Sequence, residues 1–147
     1  MTFDQLQEFW RLAVKRLEAQ GGDLAKLSEP LRTVLIVEAA QGIIDNGGLE
    51  YFYEADFPNN PPYSVFVEAY RRIGAMAGAM CIEASARMFP FAEPHLHESK
   101  RSAWIDSVKN DKSHEFVVLS WKICGDETVF AKLADYVERN RSAFTAV

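Results

Sequence analysis

Residues 64–88 read SVFVEAYRRIGAMAGAMCIEASARM, and this stretch decides the fold. Phe66, Ala69, Tyr70, Ile73, Ala77, Met80, Cys81, Ala84 and Met88 recur at helical spacing, which predicts one long helix at the centre of the core. Gly74 and Gly78 inside such a helix each cost about 1 kcal/mol relative to Ala, so they require a reason. With Ala75, Ala77 and Ala79 they form a stripe of small residues along which another backbone can approach closely. Tight helix packing accounts for that stripe more simply than a ligand cleft does. Phe89-Pro90 ends the helix, because a residue before proline disfavours helical backbone.

Upstream, residues 57–62 hold three prolines and two asparagines and read as an irregular loop. Before the loop, Leu49 to Ala55 predicts a short helix with Leu49, Phe52 and Tyr53 on one face and Glu50 and Glu54 on another. Like charges four residues apart destabilise an isolated helix by about 0.2–0.5 kcal/mol, and local conflicts of this kind mark functional surface. Asp45-Asn46-Gly47-Gly48 is a sharp break, since Asn and Gly tolerate left-handed backbone. A helix from about Ser28 to Ile44 precedes it, with Pro30 in the first turn. It is apolar on consecutive positions from Val34 to Val37, so it is covered on most sides. The first helix, Phe3 to Ala19, starts from a capping box of Thr2 with Gln5 and stops at Gly21-Gly22.

Downstream, residues 91–98 form a loop, and a helix covers Ser99 to Val108 with Trp104, Ile105 and Val108 inward. Glu115 to Ile123 suits a strand by propensity, yet no partner strand is evident, so a helix is preferred. Gly125-Asp126 breaks it, and Glu127 to Asn140 closes the chain as a helix. The expectation is an all-α protein of about six to seven helices with a long central helix, folded as a single compact domain over residues 1–147.

A 147-residue chain with 48% hydrophobic residues builds one sizeable core without a staple. Cys81 and Cys124 lie far apart and in no CxxC pair, which reads as free thiols. The first ten residues carry Asp4 and Glu8 and lack the pattern of a secretory signal, and no apolar run approaches the length of a membrane helix. A soluble, cytoplasmic protein is expected by elimination. The net charge of −5 disfavours direct nucleic-acid binding. No Lys or Arg occurs from Thr33 to Tyr70, where Glu38, Asp45, Glu50, Glu54, Asp56 and Glu68 give a formal charge of −6 against +1 for the remainder. Such a segment forms a negative surface that steers a basic partner, unless its carboxylates scatter and meet cations from elsewhere in the fold.

Chemistry finds little purchase. His95 and His97, flanked by Glu93 and Glu98, stand two apart in a proline-bounded loop, a spacing that shares a face only on a strand. His114 lies ten residues before Cys124 with nothing local to pair them, and no serine sits in a nucleophile elbow. Gly47-Gly48 lacks the Lys of a phosphate loop and the spacing of a dinucleotide fingerprint. Glu50 and Glu54 are the nearest carboxylate pair, and a solvated helix face explains them. The sequence therefore reads as non-enzymatic, with no catalytic residue, metal or cofactor.

The residues DNGGLEYFY at 45–53, followed by AYRRIGAMAGAM at 69–80, resemble a bacterial domain-of-unknown-function family that includes the DNA-mimic protein. Its signature, an Asn-Gly-Gly followed by aromatics and then a helix bearing Ile-Gly-Ala, falls on Asn46, Gly47, Gly48, Tyr51 and Phe52 and on Ile73, Gly74 and Ala75. ADYVERNRSAF at 134–144 is similar to its closing helix, so the likeness spans about residues 30–145. The resemblance implies an all-helical fold and a role like that of an acidic protein that imitates double-stranded DNA and occupies a DNA-binding regulator. Asn46 to Gly48, Ile73 to Ala75 and Gly78 read as backbone and packing determinants. The expected role is a bacterial interaction domain, DNA-mimic-like or an inhibitor or immunity protein, presenting Glu50, Tyr51, Glu54 and Asp56 to a basic partner such as a DNA-binding protein or a toxin. The alternatives are a small ligand-binding or hydrolytic domain with a pocket near Gly74 and Gly78, and a subunit whose Tyr51–Tyr53 aromatics bury in a homo-oligomer. The oligomeric state itself is not legible from the residues.

Overall fold

Thr2 opens the first helix: its hydroxyl accepts from the Gln5 amide at 3.2 Å while the Gln5 side chain takes the Thr2 N–H at 2.8 Å. The helix closes where Gly21 and Gly22 adopt φ of 71° and 78°, and the Gly22 and Gly21 amides return to the carbonyls of Leu17 and Glu18, satisfying groups that a helix end leaves open. The computed structural model describes residues 1–145, and those residues form eight helices: α1 (Phe3–Ala19), α2 (Glu29–Glu54), α3 (Tyr63–Arg72), α4 (Met76–Ala86), α5 (Glu98–Val108), α6 (Glu115–Ile123), α7 (Thr128–Arg139) and α8 (Ser142–Thr145). Short 3-10 turns lie at Leu24–Lys26 and Pro94–Leu96. No strand occurs among the described residues. The 115–123 segment is helical because Phe116, Leu119 and Ile123, buried at helical spacing, supply a core-facing stripe.

The expected long central helix over 64–88 is two helices, and the reason is Gly74. Its φ of 84° is left-handed backbone that glycine adopts without penalty. The Ala75 amide reaches the Tyr70 carbonyl at 2.8 Å and the Gly74 amide the Arg71 carbonyl at 2.9 Å, a helix-ending pattern that repeats the one after α1. The break resets the helical phase of the residues beyond it. Met76, Ala77 and Met80 turn outward, while Ala75, Gly78, Ala79, Ile82 and Ser85 face the core.

The long central element is instead α2, whose 26 residues are two helical runs that meet at the expected break. The break is there as a kink: Gly47 has φ −162° and ψ 18°, and Gly48 has φ 69° and ψ −162°. Helix α2 packs against α1, α3, α5, α6, α7 and α8, and its residues Val34, Val37, Ala40, Ile44, Leu49, Phe52 and Tyr53 are fully buried. Past the kink, Phe52 meets Phe66 edge-on at 5.1 Å, and Tyr53 meets Tyr63 at 4.8 Å and Phe89 at 5.0 Å. Such ring pairs are each worth about 0.5–1.5 kcal/mol beyond the area they bury.

Candidate interaction surface

The kink sets what the end of α2 displays. A Cβ on Gly47 would stand 2.2 Å from the Tyr51 ring, and one on Gly48 would stand 2.2 Å from Ser120 Oγ. The missing side chains let Tyr51 lie across the bend and let α6 approach it. Ser120 Oγ then accepts the Leu49 amide at 2.8 Å. Leu49, Phe52 and Tyr53 go into the core and Tyr51 is left half exposed, at 50%. A homo-oligomeric burial of these aromatics therefore has only Tyr51 to work with.

Below the kink, Gln41 is wholly buried, and its amide nitrogen donates to Asp45 Oδ1 at 2.7 Å and to the Ile123 carbonyl at 3.0 Å. The Tyr70 hydroxyl donates to Gln41 Oε1 at 2.8 Å, and burial holds that phenol well above its ordinary pKa, so it stays a donor. Asp45 Oδ1 also receives the Gly125 amide at 2.8 Å. Three elements are thereby joined through groups whose hydrogen bonding is largely satisfied, as burial requires.

The other end of α2 is held by Arg101, which is 1% exposed. Its Nε donates to the Tyr53 carbonyl and its Nη1 to the Pro94 carbonyl, each at 2.8 Å, and Nη2 lies 3.5 Å from Asp56 Oδ1. The guanidinium fork suits this because its donors diverge in one plane. The sequence reading missed this residue, although it occupies the same helical face as Trp104, Ile105 and Val108.

The six carboxylates of the cation-free segment take different places. Glu38 turns inward between α2 and α1, where Gln7 Nε2 donates to its Oε1 at 2.6 Å while its Oε2 is buried with no hydrogen-bond partner. Asp45 belongs to the Gln41 network, and Asp56 to Arg101, with 64% of its own side chain exposed. Glu50 lies 3.5 Å from Lys109 Nζ, but that ammonium sits closer, at 3.0 Å, to Asp106. Glu54 and Glu68 are exposed with no ion-pair partner among the described residues. Of the four expected contact residues, Glu50, Tyr51 and Glu54 thus remain on one short turn of helix, and Asp56 is tied to the interior. Asp106, which lies outside the acidic segment, joins Glu50 on Lys109.

Burial raises the Glu38 carboxyl above its ordinary value, against a smaller lowering by the Gln7 bond. The folded chain therefore holds this proton more tightly than the unfolded one, so Glu38 is least costly below the ordinary carboxyl range and costs most once pH exceeds its raised value. We expect Glu38→Gln to gain melting temperature relative to the native chain as pH rises from 4 to 7. Parallel thermal melts at the two pH values measure it, and an unchanged difference would mean that the carboxylate is solvated.

The remaining motif residues are structural. Ile73 and Ala75 are buried on either side of the Gly74 turn, and Gly74 itself faces open space. A Cβ on Gly78 would stand 2.8 Å from the Tyr70 ring, so the small-residue stripe admits a side chain already seated there. Asn46 is exposed at the start of the bend. His95 lies edge-on to Tyr63 at 6.3 Å and His97 to Phe91 at 6.1 Å. His114 Nδ1 accepts the Phe116 amide and caps α6, while Cys124 Sγ lies 3.8 Å from the Asp45 carbonyl. No helix among the described residues is long and apolar enough to cross a membrane.

These elements define an all-helical protein, among the described residues, with a kinked principal helix whose last turn exposes Tyr51 beside Glu50 and Glu54. The chain belongs to the DMP19-like protein family, whose model matches residues 25–140. The match begins in the turn after α1 and takes in the kink, Arg101 and Ser120. No curated protein and no solved structure matches the chain.

Proposed function

We propose that the protein is a non-enzymatic, DNA-mimic-like interaction domain of the bacterial cytoplasm that offers a basic protein the turn carrying Glu50, Tyr51 and Glu54 together with Asp106. The observation that carries this reading is the charge balance there. Lys109 is shared by Asp106 and Glu50, and Glu54 has no counter-ion among the described residues, so the surface around the Tyr51 ring keeps a negative surplus. An amphipathic ring beside uncompensated carboxylates suits a cationic partner, since aromatics supply contact area and cation–π attraction and carboxylates speed encounter. Family membership supports the same role. A DNA-binding protein fits such a surface, and so does a toxin for which this chain is the inhibitor.

The test reverses Glu54 to Lys and truncates Tyr51 to Ala while leaving Asp56 alone, because a cation at position 56 would face the buried Arg101. With the partner recovered from the host by affinity capture, we expect the double variant to associate about tenfold more slowly or worse, with a flatter dependence on salt. Unchanged association by a folded variant, or no partner recovered, sinks the proposal.

A further inference from the structure

A hollow of about 200 Å³ lies between α1, α2 and the proline loop, walled by Trp10, Leu17, Leu35, Ala39, Phe57 and Pro61 among others. All of its lining residues are apolar apart from the indole nitrogen of Trp10, so it offers almost nothing to a polar group. The hollow is partly open to solvent, and a volume of this order lined by aliphatic and aromatic side chains has room for a molecule the size of benzene. The roof is held in place: Asn59 and Asn60 adopt left-handed φ of 64° and 42°, and Asn59 Oδ1 accepts the Leu24 amide at 3.2 Å.

Through Leu24, Ile36 and Pro61, which line both, the hollow adjoins a polar cleft of about 510 Å³. The cleft carries Arg32 and Arg72 opposite Asp23 and Glu68, equal numbers of each sign, with Asn59 at the junction. Most of these charges are engaged: Arg72 pairs with Glu29 at 3.1 Å and donates to Thr33 Oγ1 at 2.9 Å, Arg32 donates to the Leu27 carbonyl, and Asp23 accepts the Ala25 amide at 3.0 Å. Such a rim gives no advantage to a net charge, yet it offers both donors and acceptors.

We infer that this paired cavity binds a small uncharged amphiphile, with one aromatic ring or a chain of about six to eight carbons in the hollow and a hydroxyl or amide in the cleft. A ligand site is typically an apolar pocket with a few convergent polar groups, and this is where the fold supplies one. The site uses none of the residues of the proposed partner surface, and its cleft reaches Arg72, two residues before Gly74.

Titration of the full chain with 1-octanol, octanoate and octylammonium, followed by methyl NMR, tests this. The alcohol should saturate a single site, shift Leu17, Leu24, Leu35 and Ile36 most, and bind at least tenfold more tightly than either ion. Ala39→Phe should fill the hollow and weaken alcohol binding at least tenfold, with Ala39→Leu as the gentler variant if the larger ring prevents folding. Shifts spread over the surface without saturation, tighter binding of either ion, or full binding by a folded Ala39 variant would each overturn the assignment.

Discussion

Gly48→Ala is expected to cost about 2–4 kcal/mol of folding stability, the sum of backbone strain of about 1–3 kcal/mol and one disrupted hydrogen bond of about 1 kcal/mol. A φ of 69° with ψ of −162° lies in a region essentially reserved for glycine. The added Cβ would also meet Ser120 Oγ at 2.2 Å. The serine can rotate away, but only by releasing the Leu49 amide it now holds. Gly42→Ala is the control, since it lies in the same helix with nothing within 4 Å of the added carbon, and it should gain up to about 1 kcal/mol. Urea denaturation of both variants decides the matter. If Gly48→Ala proves as stable as Gly42→Ala, the bend is incidental.

Arg101→Met should cost about 2–4 kcal/mol, and the reason is the identity of the partners. Exchanging a whole buried ion pair for apolar residues is often harmless. Here, however, the substitution strands the buried Tyr53 carbonyl, at about 1–3 kcal/mol, and takes one bond of about 1 kcal/mol from the Pro94 carbonyl, which keeps the His97 amide. Arg101→Lys keeps the charge but not the fork, so it should fall between the two. Asp56→Asn should cost more than Glu138→Gln, although the Arg141–Glu138 contact is shorter, at 2.6 Å against 3.5 Å. The Arg141 pair is exposed on both sides and worth about 0–1 kcal/mol, whereas the cation at 101 has almost no water to fall back on. Equal stability of Arg101→Met and the native chain would refute this account.

These two residues also mark where the sequence was readable and where it was not. Helical periods carried through because a buried stripe at that spacing has one satisfactory conformation, as Phe116, Leu119 and Ile123 illustrate. Gly74 defeated the reading because an interior glycine and a helix-ending glycine look alike until the backbone sign is known. Apolar residues on both sides happened to continue one period, which concealed the break. The Asn46-Gly47-Gly48 run was rightly a break between two helical runs, but what docks against it, Ser120 from far along the chain, has no local signal. Arg101 was hidden by its chemistry, since an arginine in a helix is usually a solvated side chain. Its spacing from Trp104, Ile105 and Val108 was the available signal.

The candidate surface was less legible than the fold. Counting carboxylates along the chain cannot distinguish Glu38, which points into the interior, from Glu54, which points out. Nor can it reveal that Asp106 competes with Glu50 for Lys109. Such facts depend on which helices become neighbours, and they leave Glu54 and Glu68 as the segment's exposed carboxylates with no ion-pair partner among the described residues.

The hydroxyl that secures the kink of α2 comes from a residue 71 positions after the amide it holds. Severing the chain within the proline loop would therefore separate a bent rod from its own rivet. Neither fragment could complete that joint alone, and only reassociation of the two would restore it.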